Sequence, residues 1–149
     1  MKKSGFSLIE LVIVMAVIAL ILSIAIPNFR AMQQEAQISK IEGDLNTLKS
    51  AVTAYWKNHE FTYPSNIHSV LTGTIPSVIT QTIADPFSTD STNKTYGFVT
   101  GSDSTFGAFF YIYTKGPGAD TSPNWDSTNK RVTYSGSGRV VSSAPVEKN

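Results

Sequence analysis

Glu10 is the residue whose type and position most call for a chemical explanation. It lies in a run of 21 residues, 6–26, in which the only other polar side chains belong to Ser7 and Ser23. A carboxylate placed within a membrane segment costs about 3 kcal/mol and is expected to face a partner rather than lipid. No basic side chain lies within one helical turn of Glu10. We therefore predict that Glu10 forms an ion pair with a cation that the neighbouring side chains do not supply.

A cut between Gly5 and Phe6 would create such a cation. Removing residues 1–5 leaves a positive α-amino group on Phe6, one helical turn from Glu10 or opposite Glu10 of a neighbouring subunit. A salt bridge between the two groups would neutralise both charges. The alternative, for a single subunit at rest, is a carboxylate that reaches water at the membrane surface.

No arrangement of catalytic residues stands out elsewhere in the sequence. The chain has no cysteine, and it contains neither a GxxxxGK phosphate-binding loop nor a GxSxG nucleophile motif. His59 and His68 lack metal-ligand spacing, so we predict that both are ordinary surface residues. The net charge of +1, with 15% charged residues, gives no field that would attract nucleic acid. We predict that the chain is not an enzyme and expect no nucleic-acid partner.

The apolar run that carries Glu10 predicts a transmembrane helix. At 1.5 Å per residue, 21 residues reach about 30 Å, the thickness of the bilayer hydrocarbon, and the run is apolar on every face. Lys2 and Lys3 precede it and Arg30 follows it, which predicts a single span with the N-terminus in the cytoplasm. A secretory signal peptide is disfavoured, because the run continues past Ala25 into a helix-compatible segment.

The helix is predicted to continue beyond the membrane with a different surface. Pro27 lacks a backbone donor and is expected to kink the helix near Ile24. Further on, apolar residues recur at steps of three and four, which marks one face of an amphipathic helix. That face consists of Ile38, Ile41, Leu45, Leu48, Val52 and Tyr55, with Trp56 beside it. We predict that its main role is to pack against the core of a small head.

The rest of the chain predicts a loop-rich connector followed by a small sheet. The candidate strands are 96–100, 106–115, 131–135 and 139–143, and the last two flank the tight turn Gly136-Ser137-Gly138. An antiparallel meander is the expected topology, with the aromatic side chains of 106–113 packing on its two faces. The predicted fold class is α+β, with one long helix on a small antiparallel sheet.

The N-terminal residues resemble a known family. Gly5-Phe6-Ser7-Leu8-Ile9-Glu10, followed by an apolar run and then Pro27, is similar to the N-terminal segment of type IV pilins and type II secretion pseudopilins. The resemblance implies that a prepilin peptidase cuts after Gly5 and that Phe6 is N-methylated. It also implies that Glu10 guides docking by pairing with a neighbour's amine, and that Pro27 bends the helix. The architecture resembles the pilin roll.

A second resemblance lies in the head. Asp85-Pro86-Phe87, Tyr96 and the stretch 111–118 are similar to the loops and strands of major type II secretion pseudopilins. In those proteins a calcium ion braces the C-terminal loop, and Asp120 and Asp126 lie in the corresponding stretch. Two aspartates are few for calcium, which prefers six to eight oxygen ligands. The alternative is that both aspartates cap turns. No cofactor is predicted to be required, and calcium is a candidate ligand.

Together these observations predict a filament subunit with three regions. Residues 1–5 form a prepilin leader, 6–27 the transmembrane and assembly helix, and 28–149 the exported head, which includes the amphipathic half of the helix. The expected partners are further copies, other pilin-like subunits, prepilin peptidase, the inner-membrane assembly platform and its ATPase. The expected location is the cytoplasmic membrane, and then a periplasmic or extracellular filament.

Three functions fit this prediction. The first is a pseudopilin of a type II protein secretion system. The second is a type IV pilin of a surface pilus used for adhesion, motility or DNA uptake. The third is a membrane-anchored binding domain that does not polymerise, for which Glu10 and the Gly5-Phe6 pattern would be coincidental.

Overall fold

The computed structural model describes residues 5–73, 77–88, 94–118 and 122–148. The chain divides into two compact units, Met1–Gln37 and Ile38–Asn149. Its elements are α1 (Leu8–Asn58), α2 (Ile67–Gly73), β1 (Gly97–Asp103), β2 (Gly107–Thr114), β3 (Asn124–Asp126), β4 (Arg131–Tyr134), β5 (Arg139–Ser142) and β6 (Val146–Lys148).

The first unit contains the N-terminal part of α1. The helix is assigned without interruption through Pro27, although proline removes one backbone hydrogen bond there. A bend at Pro27 therefore stays a prediction. Among the described residues, α1 is the one helix that is long and apolar enough to cross a membrane.

The second unit is a head built from the rest of α1, the short helix α2 and two three-stranded sheets. In the first sheet β2 is central, and both β1 and β5 pair with it in antiparallel register. In the second sheet β4 is central, antiparallel to β3 and parallel to β6. The predicted fold class, a long helix on a small antiparallel sheet, is confirmed.

The predicted meander is wrong. Strands β4 and β5 were expected to form a hairpin around Gly136-Ser137-Gly138, but they belong to different sheets. Strand β5 pairs instead with β2, which precedes it by 25 residues or more. Two strands of three residues, β3 and β6, complete the second sheet and were not predicted.

The head buries two apolar clusters, one on each face of β2. The larger cluster joins the amphipathic face of α1 to α2 and to Phe110 and Ile112 of β2. The smaller joins Phe109 and Tyr111 of β2 to Val132 of β4 and to Ala144. Successive side chains of a strand point to opposite faces, so β2 serves both clusters. The predicted packing of the helix face and of the aromatic residues 109–113 is confirmed, whereas Phe106 precedes β2 and is 43% exposed.

Two polar contacts also link α1 to the sheet side of the head. The buried Tyr96 hydroxyl donates a hydrogen bond of 3.0 Å to an Asp44 carboxylate oxygen. Arg139 of β5 forms an ion pair of 3.3 Å with Glu42. Burial and the Asp44 carboxylate together raise the pKa of Tyr96, so its hydroxyl remains a donor.

Candidate functional site

Glu10 occupies the first turn of α1. The helix begins at Leu8, and the Leu11 amide donates to the Ser7 carbonyl over 3.2 Å. Partial positive charge at a helix N-terminus favours a carboxylate at this position. The Glu10 side chain is exposed, and no described residue forms an ion pair with it. Its carboxylate is therefore available to a cation supplied from elsewhere.

The helix surface around Glu10 is apolar and uncovered. Every residue from 5 to 37 is exposed, with Leu8 at 80% and the least exposed large side chains still near 47%. The Ser23 hydroxyl donates to the Leu20 carbonyl over 2.7 Å, so it needs no outside partner. None of the residues that the structure describes covers these side chains. This surface requires a bilayer or other protein segments to cover it.

The predicted N-terminal site residues lie close together. Gly5 and Phe6 immediately precede the helix, and Glu10 follows within its first turn. Pro27 lies about five turns further along the same helix. Phe6 is 80% exposed, so the peptide bond between Gly5 and Phe6 is flanked by an accessible side chain. The predicted cleavage position, the Glu10 carboxylate and the apolar surface thus follow one another along the chain.

Of the two predicted calcium ligands, the described residues include Asp126 alone. Asp120 lies outside them. Asp126 ends β3, and its carboxylate accepts hydrogen bonds from the amides of Thr128 and Asn129 and from the Asn129 side chain, at 2.9, 3.0 and 2.7 Å. These bonds, chiefly those from Asn129, lower the pKa of the Asp126 carboxyl. Asp126 thus caps the β3–β4 turn, and a calcium ion at this place stays a prediction.

The two histidines differ from each other. His59 is exposed, as predicted, and its ring stacks on Tyr55 at 3.7 Å between centroids. His68, which was also predicted to lie on the surface, is only 8% exposed, so that prediction is wrong. It lies on α2 between the core residue Ile67 and the turn that carries core residue Leu71. His68 lies in a short segment between Ile67 and Leu71, and seven helical residues are too few for a periodic pattern that would show its burial.

Comparisons with known proteins point to one family. Residues 1–26 match the model of the prokaryotic N-terminal methylation motif. A ComG operon protein 3 homolog from Bacillus licheniformis is 38% identical over 65 residues, which cover 44% of this chain and 67% of that protein. The competence protein ComGC of Bacillus subtilis is also 38% identical over 65 residues, covering 44% of this chain and 66% of that protein.

Pilins match as well. The type IV major pilin protein PilE1 of Neisseria gonorrhoeae is 36% identical over 77 residues, which cover 52% of this chain and 46% of the pilin. The match therefore spans about two thirds of the Bacillus proteins and less than half of the pilin. No solved structure matches the chain significantly.

Proposed function

Because this chain belongs to the family of type IV pilins and pilin-like subunits, we propose that it is cut between Gly5 and Phe6, methylated on Phe6 and polymerised through residues 6–27. The observation that carries the proposal is the uncovered apolar surface of α1, which has a carboxylate in its first turn and the methylation motif around it. A surface of this kind is stable in lipid before assembly and among like helices after it.

In this proposal the precursor waits in the cytoplasmic membrane with its head outside. After the leader 1–5 is removed, the helix leaves the lipid and joins a bundle in which other helices replace the bilayer. The exposed side chains of 6–26 supply the contacts. Prepilin peptidase, an inner-membrane platform and its ATPase are the proposed partners for these steps, together with other pilin-like subunits.

Glu10 sets the register of docking. An unpaired carboxylate in an apolar bundle would cost several kcal/mol, of the order measured when one partner of a buried ion pair is removed. A subunit that docks with its Glu10 opposite the amine of a neighbour avoids that cost. In any other register the Glu10 carboxylate stays unpaired, so misplaced subunits bind more weakly and dissociate.

A Glu10→Gln variant tests this proposal in the assembled system. The substitution keeps the size of the side chain and removes its charge, so we expect normal membrane insertion and leader removal but at least a tenfold loss of sheared filaments. The matched control is Glu35→Gln, which changes an exposed carboxylate on the same helix outside the predicted span. Filament yield is measured by immunoblot of the sheared fraction and by electron microscopy.

Wild-type filament yield from Glu10→Gln would refute the docking role. Equal losses from Glu10→Gln and Glu35→Gln would indicate that general helix charge matters, and would also contradict a specific ion pair.

Two types of filament fit this subunit: a secretion pseudopilus and a surface pilus or DNA-uptake filament. The Asp85-Pro86 region and the stretch 111–118 support the secretion pseudopilus, for which a calcium ion at Asp120 and Asp126 is part of the proposal. The similarity to a competence protein and to a type IV pilin supports the second candidate, a pilus or DNA-uptake filament. A deletion strain separates them: loss of protein export indicates secretion, whereas loss of transformation with normal export indicates DNA uptake.

A further inference from the structure

The helix α1 carries an open groove at the C-terminal limit of the predicted membrane span. The groove has a volume of about 530 Å³ and belongs entirely to the first unit. Most of its lining is apolar, and the residues that form it are Leu22, Ala25, Ile26, Asn28, Phe29, Arg30, Met32 and Gln33. A surface of this composition can hold a hydrocarbon chain.

Arg30 gives the groove a positive charge. Among the described residues of the first unit, 5–37, it is the only lysine or arginine, and residues 26–34 contain no aspartate or glutamate that could pair with it. Its side chain is exposed, and neither ion pair found among the described residues involves it. The guanidinium is therefore available to an anion, and its planar set of N–H donors matches the geometry of a phosphate.

The position of Arg30 along the helix matches the depth of a lipid phosphate. If Phe6 lies at one boundary of the hydrocarbon and the helix runs along the bilayer normal, Arg30 lies about 36 Å away, at 1.5 Å per residue. The hydrocarbon is about 30 Å thick, and the headgroups extend the bilayer to about 40–45 Å. Arg30 thus lies in the headgroup layer, with Ile26 at the hydrocarbon boundary and Leu22 within it.

We propose that this groove binds one anionic phospholipid, whose phosphate contacts Arg30 and whose acyl chain lies along Leu22 and Ile26. The inference rests on the proposed function, in which α1 is inserted in the membrane before assembly. Charge complementarity favours an anionic lipid, because the ammonium group of a zwitterionic lipid would lie near Arg30 with no carboxylate beside it. The lipid would also cover Phe29 and Met32, which are 61% and 67% exposed.

Native mass spectrometry of the full-length protein tests the proposal. Protein in an uncharged detergent is titrated with phosphatidylglycerol or with phosphatidylcholine of the same acyl chains. We expect one phosphatidylglycerol to bind per chain, about fivefold more tightly than phosphatidylcholine, which is the contribution of one basic residue near an anionic lipid. Arg30→Gln should remove this preference, whereas Arg30→Lys should retain most of it. The matched control is Lys40→Gln, which changes another exposed cation of α1 and should bind like the wild type.

Carbonate extraction separates this proposal from the proposed function. The wild type and the variants are reconstituted into phosphatidylcholine vesicles and washed with carbonate at high pH. Release of the wild-type protein would contradict membrane insertion and therefore both proposals. Retention in the vesicles, together with no preference for phosphatidylglycerol, would contradict the lipid site alone.

Two further outcomes would overturn the lipid site. Equally tight binding of glycerol 3-phosphate, which has no acyl chain, would mean that Arg30 binds phosphate without the groove. Dimers that exclude the lipid and that dissociate in Arg30→Gln would mean that a second copy of the chain occupies the groove instead.

Discussion

The helix α1 carries two apolar surfaces that differ in what covers them. In the head, Ile41, Leu45, Leu48 and Val52 are at most 1% exposed, because α2 and the sheet pack on them. In the first unit the run 6–26 is almost entirely apolar, yet every described residue from 5 to 37 is exposed. The first surface stabilises the fold of one chain. The second surface is exposed in the single chain, and in the proposed function a bilayer or neighbouring helices cover it.

The largest expected effect comes from truncating one leucine on each surface. Leu48→Ala removes a fully buried side chain and should destabilise the head by about 2–5 kcal/mol. Leu22→Ala removes one that is 47% exposed and should leave head stability unchanged within about 0.5 kcal/mol. Both tryptophans, Trp56 and Trp125, lie in the head, so intrinsic fluorescence during denaturation reports on that unit alone.

The Leu22→Ala variant also tests the role of the exposed surface in the assembled filament. Leu22→Ala should reduce filament yield although its head is as stable as the wild type. Equal destabilisation of the head by both variants would contradict the account, in which the buried surface of α1 stabilises the head and the exposed surface serves assembly.

Features of the fold that depend on residues close in sequence could be predicted from the sequence, whereas features that depend on distant residues could not. The apolar run and the steps of three and four in α1 are local patterns. The predicted helix and its buried face are confirmed because helix periodicity is set within a few residues, whereas the membrane span stays a prediction. The pairing of β5 with β2 and of β4 with β6 is non-local, so the turn at Gly136-Ser137-Gly138 wrongly predicted a hairpin. Strands of three residues, such as β3 and β6, are too short for an alternating pattern to be recognised.

The N-terminal site residues could be proposed from sequence, whereas the burial of His68 could not, for a related reason. Gly5, Phe6 and Glu10 lie within six consecutive residues, and a cut after Gly5 would place an amine one helical turn from the carboxylate. A pocket beside His68 combines α2 with residues 95–98, which lie almost 30 positions further along. Only the fold brings these segments together, and the burial of His68 follows from that contact.

A smaller effect is expected from the hydrogen bond that links α1 to the sheet side of the head. Tyr96→Phe removes the buried hydroxyl that donates to Asp44 and should cost about 1–2 kcal/mol, because the acceptor is charged. Denaturant titration followed by tryptophan fluorescence measures the loss. Asp44→Asn is the matched variant, since an amide oxygen still accepts the bond, and it should lose less than Tyr96→Phe. No loss in Tyr96→Phe would mean that apolar packing alone holds this contact.

A pH-dependent effect of similar or smaller size is expected from His68. Burial lowers the pKa of this histidine in the folded head below its ordinary value of about 6.5. The unfolded chain therefore binds more protons below pH 6.5, and head stability should fall as the pH decreases from 7 towards 5. The lowered carboxyl pKa values of Asp103 and Asp126 act in a separate window, because their contribution is lost only below about pH 4.

His68→Gln isolates this contribution, since glutamine does not titrate. The variant should lose the decrease between pH 7 and 5, whereas His59→Gln, at an exposed position, should retain it. Melting curves at several pH values measure both. An unchanged pH profile in His68→Gln would show that His68 is not the titrating group.

The smallest effect is expected at the surface of the head. The ion pair between Arg139 and Glu42 has side chains that are 34% and 59% exposed, so its removal by Glu42→Gln should cost at most about 1 kcal/mol. Raising the salt concentration should reduce the difference between wild type and variant. A loss as large as that of Leu48→Ala would mean that the head depends on surface charge rather than on its apolar clusters.

The central claim, that α1 carries an assembly surface released by processing, is tested most directly by the intact mass of the native protein extracted from membranes, together with sequencing of its N-terminal fragment. We predict a mature chain that begins at Phe6 and carries one added methyl group on its α-amine. A chain that still begins at Met1, or that is cut after Ala25, would contradict the account, because the amine proposed to pair with Glu10 would then not exist at that position.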